Sequence, residues 1–373
     1  MAEWRKGSVE TSPAKVRYDE GKLALIRDHY GSRIDSGKIQ AASFLMARDG
    51  EIFAHEAAGS LTYKPGSAPF QPDSIKGVMS ITKLFTATAV MKLVEDGKIW
   101  LEQPVKELIP EFDTPMHGKI NFRHLLTHTS GLPADPGYFT EPYPIDRHGD
   151  METSEWLKKI VLAGPMQGEP GKQWSYSSTG FTVLSELVSR ASGLHFDRFV
   201  EERIFAPLGM TRSFLEPPES VWPEISIMID WEEERLRHAA ERLGPPSGGG
   251  GAYSCLRDLF AFGQMTLNGG ELGGARVLGK KAVQEMTRNQ LSGVPAFHWG
   301  KRLADFRHGL GWGFYSDGSV VGPETFNHQG WGCSYLFVDP VERFILALFV
   351  VYPNDWSPEL LVEPVNIAFS GVL

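Results

Sequence analysis

The sequence predicts a mixed α/β (α+β) fold: an antiparallel β-sheet formed by both chain ends, helices on both faces of it, and an all-α lobe beside it. Strand-like runs cluster near residues 40–57 and 333–351, helical spacing dominates roughly 81–300, and hairpin or Pro/Gly-rich turns separate the segments. A chain of 373 residues can bury a large core. One domain over 1–373 is expected, with a sheet lobe at about 19–80 and 300–373 and an α-rich lobe at about 81–299.

Taken in order, residues 19–36 carry Leu23, Leu25, Ile26, Tyr30 and Ile34 at near-helical spacing, which predicts an amphipathic helix packed on the sheet. Gln40 to Arg48, the turn pair Asp49-Gly50 and Glu51 to Ala57 read as a β-hairpin. Helices are predicted at Leu84 to Val94, Phe181 to Ala191 and Leu256 to Leu267. Cys333 to Val338 and Phe344 to Val351 form a second strand pair, and the latter is apolar enough to be covered on both faces. Ser357-Pro358-Glu359 has the signature of a helix start, with Pro364 expected to kink or end that helix.

Composition excludes several functions. Apolar residues at 42% and charged residues at 22% are those of a folded globular chain, not a disordered one. A net charge of −9 without a basic run argues against nucleic acid as a partner. No apolar stretch follows Met1 to Gly7 as a secretory signal would require, and Phe344 to Val351 is too short to span a bilayer. A cytoplasmic location and no membrane association are expected, with Cys255 and Cys333 as free thiols.

Ser80-Ile81-Thr82-Lys83 opens the helix at Leu84, and a spacing of three places both functional side chains on one helical face. A serine hydroxyl is a weak nucleophile until a base takes its proton, and lysine does this only when its pKa is pushed down. Ser12-Pro13-Ala14-Lys15 has the same spacing without an apolar helix behind it, and reads as chance. Tyr176-Ser177-Ser178 precedes another helix; its tyrosine is a candidate proton carrier beside the lysine, although an ordinary turn and helix cap accounts for the same residues. His328-Gln329-Gly330-Trp331-Gly332 lies before the C-terminal strand pair, where an edge strand rich in small residues leaves backbone N–H groups for a substrate.

In this order the three segments resemble those of the serine β-lactamase and penicillin-recognising superfamily, in particular class C β-lactamases and family VIII carboxylesterases. His124 to Leu132, Pro207-Leu208-Gly209-Met210 and Gly248 to Asp258 extend the resemblance over most of the chain. It implies a β-lactamase/transpeptidase-like catalytic domain with Ser80 as nucleophile, Lys83 as its activating partner and Tyr176 as second proton carrier. Ser178 stands where many relatives carry asparagine, and His328 where lactamases carry the lysine of a K-T-G motif. Gly330 and Trp331 would then form the oxyanion strand, the Trp331 N–H pairing with that of Ser80. Such donors are worth roughly 3 kcal/mol each.

A histidine with an ordinary pKa near ~6.5 is mostly neutral at neutral pH, which weakens the case for a carboxylate-bearing lactam or D-Ala-D-Ala substrate. Ester hydrolysis through a Ser80 acyl-enzyme is therefore expected, with a small-molecule ester or amide as partner and no cofactor. The alternatives are a β-lactamase or D-amino-acid peptidase or amidase, an acyltransferase using the same acyl-enzyme, and a non-catalytic binding module. His124 and His128 have metal-compatible spacing but no third ligand, so no metal is expected. Gly248 to Gly251 reads as a close backbone approach beside the site or a tight loop rather than a phosphate loop. Trp231 to Leu243 reads as a solvated helix that alternatively borders the cleft, and Trp312 and Tyr315 as either cleft or core aromatics.

Overall fold

The computed structural model describes residues 1–135, 151–238, 241, 243–314, 318–353 and 357–373. Six antiparallel strands make the main sheet: β1 (Arg5–Lys6), β2 (Ala41–Arg48), β3 (Glu51–Gly59), β4 (Phe326–Gly330), β5 (Ser334–Asp339) and β6 (Phe344–Val351). They lie in the spatial order β1-β3-β2-β6-β5-β4, so the first and last thirds of the chain meet where β2 pairs with β6. Asp49 and Gly50 both have positive φ, 54° and 87°, the backbone that a two-residue hairpin loop demands.

The burial of β6 on both faces follows from its sequence. Ile345, Ala347, Phe349 and Val351 enter one apolar cluster, and Phe344, Leu346, Leu348 and Val350 enter the other, because successive side chains point to opposite faces. The second cluster is closed by α1 (Gly21–Asp35) through Leu23, Ile26 and Tyr30, and by the C-terminal helix Val362–Phe369 through Val365, Ala368 and Phe369. The first joins the sheet to α2 (Thr82–Glu95), α3 (Phe122–Leu126), α4 (Ser178–Ser192) and, beyond α5 (Asp230–Arg237), α6 (Leu256–Leu267).

Several expectations need correction. The C-terminal helix, α7, begins at Val362, not at Ser357, whose carbonyl instead accepts from Leu360 N and Leu361 N in a turn. Pro364 neither kinks nor ends it, because it occupies the first turn, where a backbone N–H has no intrahelical acceptor. The helical lobe also carries short ladders: Ile75–Gly77 pairs with Tyr253–Ser254 and with Ile225–Ser226, and Ala296–His298 with Lys301–Leu303. Helix α5 ends at Arg237, and Glu232 on it is buried rather than solvated. Trp312 is fully buried against Phe262 and Phe326 in the core, while Tyr315 lies outside the described residues.

Candidate active site

Ser80 is presented by a sharp turn. The strand Ile75–Gly77 ends at Val78, Met79 adopts the left-handed conformation at φ 48°, and a 3-10 turn over Met79–Ile81 leads into α2. Thr82 fastens the turn: its Oγ1 donates to Met79 O (2.6 Å) and accepts from Ala252 N (2.9 Å). A non-glycine residue held at positive φ is a strained backbone that only its surroundings maintain, and such strain concentrates at functional sites. Ser80 remains partly exposed, whereas Lys83, one turn on, is fully buried.

Lys83 Nζ makes three hydrogen bonds, to Ser80 Oγ (3.1 Å), Ser178 Oγ (3.0 Å) and Gly249 O (2.6 Å). Burial pushes its pKa down to about 8, partly offset by the Asp135 carboxylate. The three partners differ in kind. Gly249 O can only accept, and Ser178 Oγ already gives its proton to Asp135 Oδ2 (2.5 Å), so both must receive protons from Lys83. Ser80 is thus the one partner in this trio whose proton is free to move toward Nζ when the amine is neutral.

The glycine run makes this arrangement possible. A Cβ on Gly248 would lie 2.6 Å from Ser185 Cβ and 2.9 Å from Phe181 O, and one on Gly249 would lie 2.9 Å from Ser178 O. Side chains here would keep the segment off α4 and its carbonyls away from α2, where Gly248 O accepts from Thr86 Oγ1 and Gly249 O from Lys83. Of the two readings of this run, the close backbone approach is the one observed.

Tyr176 enters from the turn before α4. Ser177 caps that helix, its Oγ accepting from Gly180 N (3.1 Å) and donating to Pro133 O (2.6 Å), so the capping reading of this segment is observed and leaves the Tyr176 ring to the cleft side of Lys83. The Tyr176 ring stacks on His128 at 4.3 Å, and Lys83 Nζ lies 4.7 Å from the ring centroid, a cation–π distance. His128 Nδ1 accepts from Ser177 N (3.0 Å), and this ring is held neutral far below its ordinary pKa, first by burial and then by His308, Lys83 and His328. His124 instead completes a capping box with Asn121 at the start of α3, so the two histidines serve separate structural ends.

His328 lies on β4, the edge strand, paired with Leu336. Its Nδ1 bonds to Gln329 O (2.8 Å), which makes that nitrogen the N–H and leaves Nε2 with a buried lone pair. Burial first, then the Lys83 charge, lowers its pKa to about 3. Two residues on, Gly330 presses against the serine turn: a Cβ there would lie 2.1 Å from Val78 O and 3.3 Å from Ser80 N. Trp331 follows, a residue 40% exposed, with its ring set edge-on to Trp231 at 6.0 Å.

The structure therefore gathers Ser80, Lys83, Tyr176, Ser178, His328, Gly330 and Trp331 around one centre, while Ser12 and Lys15 stay solvent-exposed at the other copy of the spacing. Sequence reasoning missed Asp135. Its Oδ1 accepts from Ser178 N (2.7 Å) and its Oδ2 from Ser178 Oγ, while its own N–H donates to Tyr176 O (2.9 Å). Nothing local in Pro133-Ala134-Asp135-Pro136 announces this role, which only the tertiary approach to α4 creates.

The family description Beta-lactamase matches residues 26–358, nearly the whole chain including every residue of this centre. The chain belongs to the beta-lactamase family. A Salmonella agona protein described as "Putative D-alanyl-D-alanine carboxypeptidase" is 26% identical over 97% of this chain and 90% of its own length. A penicillin-binding protein homolog from Caulobacter crescentus superimposes with a TM-score of 0.74 at 18% identity, over 98% of this chain and 100% of its own. A family VIII carboxylesterase superimposes with a TM-score of 0.73 at 21% identity, over 98% of this chain and 100% of that one. These likenesses establish the β-lactamase and penicillin-binding-protein-like fold and place the chain among the serine hydrolases of that superfamily.

Proposed function

We propose that this family member hydrolyses carboxylic esters through a Ser80 acyl-enzyme. The observation that carries the chemistry is the sorting of donors and acceptors around Lys83, which directs its lone pair at Ser80 Oγ once the ammonium has lost a proton. With its pKa at about 8, a useful fraction of Lys83 is neutral near pH 7.

Neutral Nζ accepts the Ser80 proton as Oγ bonds to the ester carbonyl carbon, and the carbonyl electron pair moves onto oxygen. That oxyanion is received by the N–H groups of Ser80 and Trp331, a pairing supported by the close approach of Gly330 to Val78 O and Ser80 N. Collapse of the tetrahedral centre breaks the bond to the alcohol oxygen, which takes a proton relayed from Lys83 through Tyr176. Water then attacks the acyl-enzyme, losing its proton to the same pair and returning Ser80 as a hydroxyl.

The ester assignment, rather than lactam or peptide hydrolysis, is supported by His328. A neutral imidazole with a buried lone pair offers no cation to a carboxylate carried on the leaving-group side. The likeness to a family VIII carboxylesterase agrees with this reading, and the likeness to a Salmonella protein described as "Putative D-alanyl-D-alanine carboxypeptidase" names its competitor. Turnover of p-nitrophenyl butyrate well above that of nitrocefin and of a D-Ala-D-Ala dipeptide, lost in Ser80→Ala, is the expected result. Comparable or faster turnover of either competitor would reverse the assignment.

A further inference from the structure

We propose that Arg235 forms an anion-binding site on the acyl side of Ser80, so that the preferred substrates are esters whose acyl chain carries a terminal carboxylate. This rests on the ester-hydrolase reading and names its substrate class.

Arg235 is half-buried on α5, and two hydrogen bonds hold its guanidinium in place. Nη2 donates to Gly250 O (2.6 Å) and Nη1 to Met79 Sδ (3.1 Å), the side chain immediately before the nucleophile. The Trp231 and Tyr253 rings lie 5.6 Å and 5.8 Å from its central carbon. Lys83 hangs from the Gly249 carbonyl and Arg235 from the next one, so the two cations are anchored on consecutive residues of one glycine segment, with Arg235 also bonded to the residue before the nucleophile.

Among the described residues Arg235 makes no ion pair. On its own helix Glu233 pairs with Lys64 and Arg237, Asp230 bonds to Tyr63 and Glu234 is exposed, while the buried Glu232, which accepts from Met228 N, feels the charges of Lys76 and Arg235 without forming a salt bridge to the guanidinium. A guanidinium has five donors in a planar fork suited to carboxylate, and the hydrogen bonds to Gly250 and Met79 engage two of them. A fixed cation with donors to spare beside a nucleophilic serine is a recognition element.

The side of the scissile bond follows from what flanks the serine. Tyr176, the proton carrier for the leaving alcohol, packs on His128 and lies near His328, whereas Arg235 shares its surroundings with Trp231, Tyr253 and, through Trp231, the exposed Trp331. The alcohol has to leave past Tyr176, and the acyl chain then extends over the two tryptophans toward Arg235.

The test compares p-nitrophenyl hydrogen adipate with p-nitrophenyl hexanoate, which match in chain length and differ in terminal charge. Wild type should favour the adipate in kcat/KM by about tenfold, as expected for a charge-assisted contact, with the preference shrinking as salt is raised. Arg235→Gln should bring the ratio to about one and Arg235→Lys should retain part of it; a structural role alone would lower both substrates together and leave the ratio intact. No preference in wild type, or an unchanged ratio in Arg235→Gln, overturns the proposal. Because the esterase reading can fail by itself, binding is also read without turnover: adipate, but not hexanamide, should quench tryptophan fluorescence in Ser80→Ala and fail to do so in Ser80→Ala/Arg235→Gln. Absence of that quench overturns the anion site whatever the reaction is.

Discussion

Lys76 and Lys83 are both fully buried, and burial drives both ammonium pKa values down. Their surroundings separate them. Lys76 Nζ donates to Gly77 O and to Ser334 Oγ, both at 3.3 Å, with the buried Glu232 carboxyl acting to restore its charge. Ser334 is itself completely buried within β5. Lys83 holds a serine that is partly exposed at a strained turn, and its other two partners are acceptors toward it. A depressed lysine becomes a candidate base when the hydroxyl beside it can be reached by a substrate; without that access it is a brace, and Lys76 braces the Gly332 turn, where an added Cβ would lie 3.1 Å from its Nζ.

The largest expected effect tests this contrast directly. Lys83→Met should lower kcat/KM for p-nitrophenyl butyrate by on the order of a thousandfold, with the far-UV spectrum unchanged, since the serine loses its proton acceptor. Next, Gly330→Ala should cost on the order of a hundredfold in kcat, because a Cβ 2.1 Å from Val78 O must push the edge strand away from Ser80.

The pH dependence sharpens the comparison further. The proposed mechanism uses Lys83 as the neutral amine, so kcat/KM should rise with pH and level off above about 8. Asp135 opposes the lowering of that pKa, so Asp135→Asn should shift the rising limb toward lower pH while reducing the plateau roughly tenfold, as the amide keeps only one of the two oxygens that accept from Ser178 N and Ser178 Oγ. A limb that does not move would remove Asp135 from the proton network. The smallest effect belongs to Lys76→Met, which should leave kcat within a few-fold of wild type and show itself in the thermal midpoint instead; a loss approaching that of Lys83→Met would break the distinction between base and brace.

How much of this was legible in the sequence varies with the range of the forces involved. The hairpin at Asp49-Gly50, the doubly buried β6 and the helix behind Ser80 are local patterns, and they were readable because turn chemistry and side-chain periodicity are local. Pro364 misled because a proline in a first turn is compatible with the helix that it would break a few residues later. Within the site, the spacing from Ser80 to Lys83 was visible, and the Tyr176 and His328 segments were identified by resemblance. Asp135 and Arg235 were not assigned roles, since each acts across a tertiary contact: Asp135 through Ser178 on α4, Arg235 through Met79 and Gly250. The depression of the His328 pKa was likewise invisible, because it comes from burial beside Lys83 and not from any neighbour in sequence.

Covalent labelling by a fluorophosphonate, read by intact-protein mass spectrometry, tests the central claim most directly. Wild type should gain a single adduct that maps to Ser80, Lys83→Met should label far more slowly, and Ser80→Ala should not label. An unlabelled wild type, or an adduct that persists in Ser80→Ala, would contradict an activated Ser80.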